Sequence, residues 1–189
     1  MKYLLLNGSI VGHKTRNVLD ELNLQLQKQM SESDSIKLID LKDKKIAFSD
    51  GRNWQDNSGD TLEVLADIME AEVLVLGVPT YQASIPAPLK NIFDLLPEGA
   101  FYHKTVAFIV TAGSQKHYLV MEYQLKPILN FMKANVLTNY VFADDSDFNG
   151  SELSSDDISM RLVRYAEDIK ITAESYKKQL DIQDALYDF

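Results

Sequence analysis

The sequence predicts an α/β fold in which helices cover both faces of a parallel sheet. Short apolar runs alternate with longer amphipathic stretches along the chain, an order typical of doubly wound sheets. The run at residues 73–78 contains only apolar residues and glycine, which is the pattern of a central strand buried on both faces. With 189 residues, the chain is expected to form one domain spanning residues 1–189.

Five strands and five helices are expected in alternation. Apolar runs predict strands at residues 4–6, 36–41, 73–78, 106–111 and 136–142. Amphipathic periodicity predicts helices at residues 18–30, 61–70, 87–96, 118–132 and 156–180. Asp60 is the expected N-cap of the second helix, and Ser154, Ser155 or Asp156 that of the last. Residues 40–59 are polar and irregular, which predicts a long loop of a kind that often serves function.

Pro127 interrupts the helix expected at residues 118–132. Proline has no N–H group to donate to the carbonyl of Tyr123, four residues earlier. The sequence therefore predicts a kink or a π-type bulge near Tyr123, a feature that gathers at functional sites.

Composition excludes several classes of protein. The chain is 46% hydrophobic and 25% charged, which excludes a disordered or fibrous protein. The lack of cysteine excludes disulfides, thiol catalysis and thiolate metal sites. A net charge of −9 disfavours nucleic acid as a partner, because phosphate contacts need Lys and Arg. No apolar run reaches the roughly 20 residues of a membrane span and no signal peptide is recognised, so a cytoplasmic location is expected.

Three loops at the predicted carboxyl ends of strands form the expected ligand site, because open parallel sheets bind ligands there. The first loop covers residues 7–17, where Gly8 lets the backbone approach a ligand and the following helical turn offers N–H groups to a phosphate. The side chains that could add hydrogen bonds or charge are Ser9, Lys14, Thr15, Arg16 and Asn17. An ordinary strand–helix turn is the alternative.

Two nucleotide-binding motifs are excluded by spacing. A Walker A loop needs four residues between its glycines and a lysine directly after the second, whereas residues 8–15 read Gly-Ser-Ile-Val-Gly-His-Lys-Thr. A dinucleotide fingerprint also fails, because Gly8 is followed by Ser and Ile. A loop that binds a phosphate monoester fits better.

The second and third loops add polar groups at the same edge. Residues 77–91 contain three prolines that stiffen the loop, and the polar groups at its mouth are Thr80, Tyr81 and Gln82. Packing is the alternative role of Tyr81. In the third loop, residues 111–117, Gly113 again allows close backbone approach. His117 could face a ligand or cap the next helix, and the sequence alone favours the structural role.

Motifs along these loops carry a family resemblance. The segments are Gly8-Ser9, Pro79-Thr80-Tyr81-Gln82-Ala83, Leu89-Lys90-Asn91, Leu95-Leu96-Pro97-Glu98, Gly113, His117, Tyr123 to Leu129 and Val141 to Ser146. Together they resemble the NAD(P)H-dependent FMN reductases of the flavodoxin-like superfamily, above all the branch that supplies reduced FMN to two-component alkanesulfonate monooxygenases. One departure is that Ile10-Val11-Gly12 stands where the family usually has an arginine.

The resemblance implies a flavodoxin-like five-stranded sheet of order 2-1-3-4-5, FMN as cofactor and NADPH or NADH as hydride donor. It implies that the first loop holds the FMN phosphate and that the second and third loops border the isoalloxazine ring. The residues expected to bind FMN are Ser9, Lys14, Thr15, Arg16, Asn17, Pro79, Thr80, Tyr81, Gln82, Thr111, Gly113 and His117. No catalytic side chain and no metal ligand are expected, since hydride passes directly from nicotinamide to flavin.

The helix at residues 118–132 also predicts assembly. Its apolar residues spread over most of its circumference, so one face can cover the sheet while the other would form a large exposed patch. We expect a homodimer or homotetramer in which this helix meets its own copy, as the resemblance also implies. The alternative is that the helix at residues 156–180 covers the patch.

Other functions share this fold. A flavodoxin-type electron carrier would match the acidic charge, and a quinone or azo-compound reductase would use the same cofactor. A phosphate-binding regulator without redox activity is a further alternative. The chain length and the Tyr-x-Leu-Lys-Pro segment at residues 123–127 favour the FMN reductase, with a monooxygenase as a possible partner.

Overall fold

The computed structural model describes residues 1–187 and contains a parallel sheet between two layers of helices. The sheet strands are β1 (Lys2–Asn7), β2 (Ser35–Asp40), β3 (Val73–Pro79), β4 (Thr105–Ala112), β5 (Asn135–Val136) and β6 (Val141–Asp144). Their order is β2-β1-β3-β4, with β5 and β6 both paired along the outer edge of β4, and every pairing is parallel. The predicted fold class and strand order are therefore confirmed.

Five α-helices cover the sheet. They are α1 (Lys14–Gln27), α2 (Gly59–Glu70), α3 (Ala87–Leu95), α4 (Lys126–Phe131) and α5 (Asp156–Tyr187). Residues 41–58 form the long loop predicted at 40–59, with short 3₁₀ turns at Leu41–Asp43 and Trp54–Asp56. A small antiparallel hairpin, β7 (Phe148–Asn149) and β8 (Glu152–Leu153), precedes α5. Within residues 1–187, no helix combines the length and the apolar character needed to cross a membrane.

The two faces of the sheet carry separate apolar cores. Successive residues of β1 point to opposite faces, so Leu5 joins the core under α1 and α5, whereas Leu4 and Leu6 join the core under α2, α3 and α4. α5 packs along α1 and against β4 and β6. It therefore lies on the face opposite to α4, and the alternative in which this helix covers the outer side of residues 118–132 is wrong.

Two predicted helix starts can be compared with the structure. Asp60 is not the N-cap of α2, because that helix begins one residue earlier, after Ser58. Its carboxylate instead accepts a hydrogen bond of 2.8 Å from the Lys45 N–H and so ties the long loop to α2. At α5, Ser155 is the capping residue among the three candidates, since its hydroxyl accepts from the Ile158 N–H at 3.4 Å.

Residues 118–132 do not form one continuous α-helix. A π-turn occupies Met121–Leu125 and α4 follows it, which confirms the bulge predicted from Pro127. Met121 and Leu125 are fully buried under this segment, whereas Tyr123 is 75% exposed on its outer side. The segment therefore presents apolar side chains to both the sheet and the surface.

The fifth strand was predicted as one run over residues 136–142, and this prediction is wrong. Between Val136 and Val141 the chain advances five residues while β4 advances three, from Val106 to Ile109. The two additional residues bulge out of the sheet, and the strand divides into β5 and β6. A hydrogen bond attaches the bulge to α4: the Lys126 ammonium donates to the Thr138 carbonyl at 2.8 Å.

Tyr165 fills the gap that the bulge leaves in the sheet. Phe108 on β4 faces the gap, and its N–H has no partner on β5 or β6. The buried Tyr165 hydroxyl, on α5, accepts from this N–H and donates to the Phe108 carbonyl, each at 3.1 Å. Buried backbone groups need partners, so this side chain replaces a missing strand residue. Burial also raises the pKa of Tyr165, which keeps its hydroxyl protonated and able to donate.

We expect Tyr165→Phe to destabilise the protein, because the exchange leaves the Phe108 N–H buried without a partner. The expected loss in the free energy of unfolding is about 1–3 kcal/mol, measured by urea denaturation. Tyr176→Phe is the control, since it removes a hydroxyl from the same helix without unpairing Phe108. Equal stability of the two variants would contradict this role of Tyr165.

Candidate functional site

A cavity of about 230 Å³ lies at the carboxyl ends of β1, β3 and β4. All three predicted loops contribute to its walls, together with the turn that follows β6. Eight of the twelve predicted site residues line it: Ser9, Lys14, Thr15, Pro79, Thr80, Tyr81, Thr111 and Gly113. The structure thus brings together, at one edge of the sheet, side chains that are up to about a hundred positions apart in sequence.

The other four predicted site residues do not line the cavity. They are Arg16, Asn17, Gln82 and His117. The Arg16 guanidinium pairs with Asp20 at 2.9 Å and with Asp40 at 3.3 Å, on the side of α1 that faces β2. The Asn17 amide donates to the Ser151 carbonyl at 2.7 Å. Gln82 lies at the tip of a turn in the second loop, and His117 ends a 3₁₀ turn in the third.

Six cavity residues were not predicted from the sequence. They are Val11, Gly12, His13, Ala112, Asp145 and Ser151. Asp145 could have been found, since it directly follows β6 and so lies at the same edge of the sheet as the three loops. Ser151 belongs to the turn of the β7–β8 hairpin, for which the sequence carries no comparable signal.

Close approach of two strand ends forms the floor of the cavity. The Gly8 N–H donates to the Gly77 carbonyl at 2.8 Å, beyond the last paired residues of β1. A Cβ atom on Gly8 would lie 3.0 Å from that carbonyl oxygen, and one on Gly77 would lie 3.2 Å from the Thr15 methyl. Only glycine at these positions lets the first loop leave the sheet here without displacing its neighbours.

The N-terminus of α1 forms one end of the cavity. Its first intrahelical hydrogen bond runs from the Asn17 N–H to the His13 carbonyl, so the N–H groups of the preceding residues have no partner within the helix. The first turn carries no acidic side chain. A helix end of this kind attracts an anion, because its partial positive charge and free N–H groups point outward.

Lys14 and Asp145 meet across the mouth of this end. The Lys14 ammonium lies 2.8 Å from the Asp145 carboxylate and 5.0 Å from the centre of the Phe148 ring. Below them, the hydroxyls of Thr15 and Thr111 share a hydrogen bond of 2.6 Å that joins α1 to β4. The cation at this helix end is therefore partly neutralised by a carboxylate.

The other end of the cavity is formed by Tyr81 and Thr80. The Tyr81 and Ser9 hydroxyls lie 2.9 Å apart, and they lie 3.2 and 2.8 Å, respectively, from the Val11 carbonyl. The Thr80 Oγ1 atom is buried and has no hydrogen-bond partner among the described residues. A buried hydroxyl without a partner suits a ligand that brings its own polar group. The cavity therefore suits a ligand with an anionic end and further polar groups.

The residue pattern of the NADPH-dependent FMN reductase family matches residues 1–149 of the chain. The chain belongs to this family. It is 36% identical over 170 residues to an NAD(P)H-dependent FAD/FMN reductase of Geobacillus thermodenitrificans, covering 89% of this chain and 91% of the relative. An NADPH-type FMN reductase of Pseudomonas putida is 44% identical over 79 residues, which cover 42% of this chain and 40% of that one.

Solved structures share the fold. The apo form of the NADH:FMN oxidoreductase EmoB superposes with a TM-score of 0.75 at 21% identity, covering 90% of this chain and 89% of that chain. Family membership decides between the functions considered above: the chain is an oxidoreductase that uses NAD(P)H to reduce FMN, rather than a flavodoxin-type carrier.

The turn that contains Asp145 is stabilised by the neighbouring Asp144 carboxylate, and this stabilisation depends on pH. The Asp144 carboxylate accepts from the Ser146 hydroxyl at 2.6 Å and from its N–H at 2.8 Å, and these hydrogen bonds lower the pKa of Asp144. The ionised form is thus favoured in the folded protein. Its contribution to stability is present above the ordinary pKa of about 3.9 and is lost as the pH falls through the lowered value.

We therefore expect Asp144→Asn to be less stable than the wild type at pH 7, with a difference that shrinks as the pH falls below about 4. Asparagine keeps an acceptor oxygen but has no charge to lose on acidification. Urea denaturation between pH 3 and pH 7 measures the difference, with the exposed Asp157→Asn on α5 as control. A difference that does not depend on pH would rule out this role for the Asp144 charge.

Proposed function

We propose that the chain, acting as one unit over residues 1–189, binds FMN in this cavity with its phosphate at the N-terminus of α1. The isoalloxazine ring would lie between the second and third loops. One observation carries the proposal: the cavity has a free helix end at one side and the unpartnered Thr80 hydroxyl at the other. Between them lies a space of about 230 Å³ whose walls include glycines. Bound FMN would supply the redox chemistry, accepting hydride from NADPH or NADH.

Each cavity residue then has a binding or positioning role. Lys14 supplies a cation for the phosphate, and Thr15 supplies a neutral donor beside the helix N–H groups. Ser9 holds Tyr81 at the ring end, since their hydroxyls lie 2.9 Å apart. Tyr81 and Thr80 border the ring, opposite Thr111 and Gly113. Arg16 and Asn17 are assigned to support: the contacts of Arg16 with Asp20 and Asp40 attach α1 to the end of β2, and Asn17 attaches the β7–β8 hairpin.

The Lys14–Asp145 pair favours exchangeable flavin. A phosphate that approaches Lys14 must displace the Asp145 carboxylate, which is 61% exposed and carries the same sign of charge as the ligand. Such competition weakens binding and is consistent with FMN that enters, is reduced and leaves. We propose that the protein releases reduced FMN to a monooxygenase partner in the cytoplasm, in line with the family resemblance of its loop motifs.

The phosphate assignment predicts opposite effects for the two members of this pair. Lys14→Met should weaken FMN binding about tenfold, the size of a lost hydrogen bond to a charged group, and leave riboflavin binding unchanged because riboflavin lacks the phosphate. Asp145→Asn should strengthen FMN binding about two- to fivefold, the usual size for an exposed ion pair. Quenching of flavin fluorescence measures both affinities.

Arg16→Met is the matched control for this experiment, because it removes a cation from the next position of the same helix. Its expected effect on the ratio of FMN to riboflavin affinity is nil. If Arg16→Met were the variant that selectively weakens FMN, the phosphate would lie on the other side of α1. Equal weakening of FMN and riboflavin by Lys14→Met would mean that this lysine supports the loop only.

We also propose that the outer face of α3, α4 and the π-turn binds a second copy of the chain. Tyr123 and Phe131 are 75% and 64% exposed there, and an apolar groove of about 520 Å³ runs between α3 and α4. α5 lies on the opposite face of the sheet, so it leaves this surface uncovered. A two-fold axis through the surface would bury it in a dimer, and a dimer of dimers would give a tetramer.

Light scattering should give a mass at least twice that of the 21.4 kDa chain. Phe131→Glu should reduce the mass to that of a monomer, because it places a charge in the middle of the apolar surface. Met160→Glu, which alters an exposed apolar residue of α5, is the control and should leave the mass unchanged. A wild-type monomer at micromolar concentration would refute the proposed assembly.

A further inference from the structure

The turn at residues 81–84 is strained. Two backbone hydrogen bonds close it, from the Tyr81 N–H to the Ser84 carbonyl at 3.0 Å and from the Ser84 N–H to the Tyr81 carbonyl at 2.9 Å. The two residues between them, Gln82 and Ala83, have φ angles of +50° and +57°. Tight turns of this shape normally use glycine, asparagine or aspartate, because a side chain with a Cβ atom is disfavoured there. This turn contains neither glycine nor asparagine, so other contacts must hold it closed.

Gln124 supplies those contacts from the π-turn. Its Nε2 donates to the Ala83 carbonyl at 3.0 Å, and its Oε1 accepts from the Ser84 hydroxyl. One half-buried amide thus binds two successive residues of the turn with both of its polar atoms. Gln124 and the turn are about forty positions apart in sequence, so the contact is a tertiary constraint on the loop.

The conformation of this turn also determines where Tyr81 lies. Tyr81 is its first residue, and its hydroxyl reaches the Ser9 hydroxyl at 2.9 Å and the Val11 carbonyl at 3.2 Å over the cavity. If the turn opened, Tyr81 would lose the backbone geometry that directs it to these partners. A continuous chain of hydrogen bonds therefore connects Gln124 with the ring end of the cavity.

We propose that Gln124 is a positioning residue for the flavin: it holds the strained turn at residues 81–84 closed and so fixes Tyr81 at the mouth of the cavity. This inference rests on the proposed function, in which the isoalloxazine ring borders Tyr81. Gln124 does not itself line the cavity, so it acts only through the turn. The prolines that flank the loop are the competing explanation for its rigidity, and the experiment separates the two.

The test compares Gln124→Ala with the double variant Gln124→Ala/Ala83→Gly. Gln124→Ala should weaken FMN and riboflavin binding alike, by about three- to tenfold, because the lost hydrogen bonds act on the ring end and not on the phosphate. Amide hydrogen exchange at Tyr81 and Ser84 should become faster in the flavin-free protein. Ala83→Gly should restore most of the affinity, since glycine adopts a positive φ without strain and no longer needs the amide.

Glu122→Gln is the matched control. Glu122 belongs to the same π-turn, but its side chain pairs with Lys126 and not with the loop. Its flavin affinity and its exchange at residues 81–84 should equal those of the wild type. Thermal unfolding of all variants identifies any general loss of stability. Should Gln124→Ala fold poorly, Ser84→Ala removes one of the two contacts and should show the same pattern at smaller size.

The outcomes separate this inference from the proposed function. A wild type that binds no FMN would refute the proposed function and, with it, the positioning role. A wild type that binds FMN, with unchanged affinity or unchanged amide exchange in Gln124→Ala, would overturn the inference and leave the proposed function intact. Failure of Ala83→Gly to restore the affinity would overturn it as well, because the strain at Ala83 would then not be what Gln124 opposes.

Discussion

The hydrogen bond between the Gly8 N–H and the Gly77 carbonyl is the constraint on which the cavity depends. It holds the end of β1 against β3 at a separation that only glycine permits, so the first loop leaves the sheet directly above the second. α1 then begins close enough to the sheet for Thr15 to reach Thr111 on β4. The free end of the helix, the ring end at Tyr81 and the space between them follow from that placement.

The sheet itself is completed by a side chain. Two additional residues in the fifth strand interrupt its pairing with β4, and the Tyr165 hydroxyl accepts the hydrogen bond of the Phe108 N–H. After the bulge, β6 resumes pairing and ends at Asp144, which brings Asp145 to the cavity opposite Lys14. The charge balance at the phosphate end therefore depends on the interrupted fifth strand, and Tyr165 on α5 stabilises the site of the interruption.

Local chemistry decided which features the sequence could predict. The central strands are predictable because their residues are apolar at almost every position, and the π-turn because Pro127 lacks an N–H group. The continuous fifth strand and the Asp60 cap were wrong because the hydrogen bonds of Tyr165 and Lys45, which accompany the bulge and the position of Asp60, are tertiary contacts that local patterns do not show. Arg16 and Asn17 follow Thr15 on a helix that turns by about 100° per residue, so side chains next to a cavity residue point elsewhere. The role inferred for Gln124 likewise depends on its contacts with Ala83 and Ser84, which residue spacing in the sequence does not predict.

The central claim is that these loops form a site in which the protein reduces FMN with NAD(P)H. The most direct measurement is an anaerobic titration with NADPH of the protein mixed with FMN, followed by flavin absorbance and fluorescence. We expect the protein to quench FMN fluorescence before NADPH is added, and we expect NADPH then to remove the absorbance of oxidised flavin at a rate that rises with protein concentration. Unquenched FMN, reduced no faster than in a mixture without protein, would contradict it.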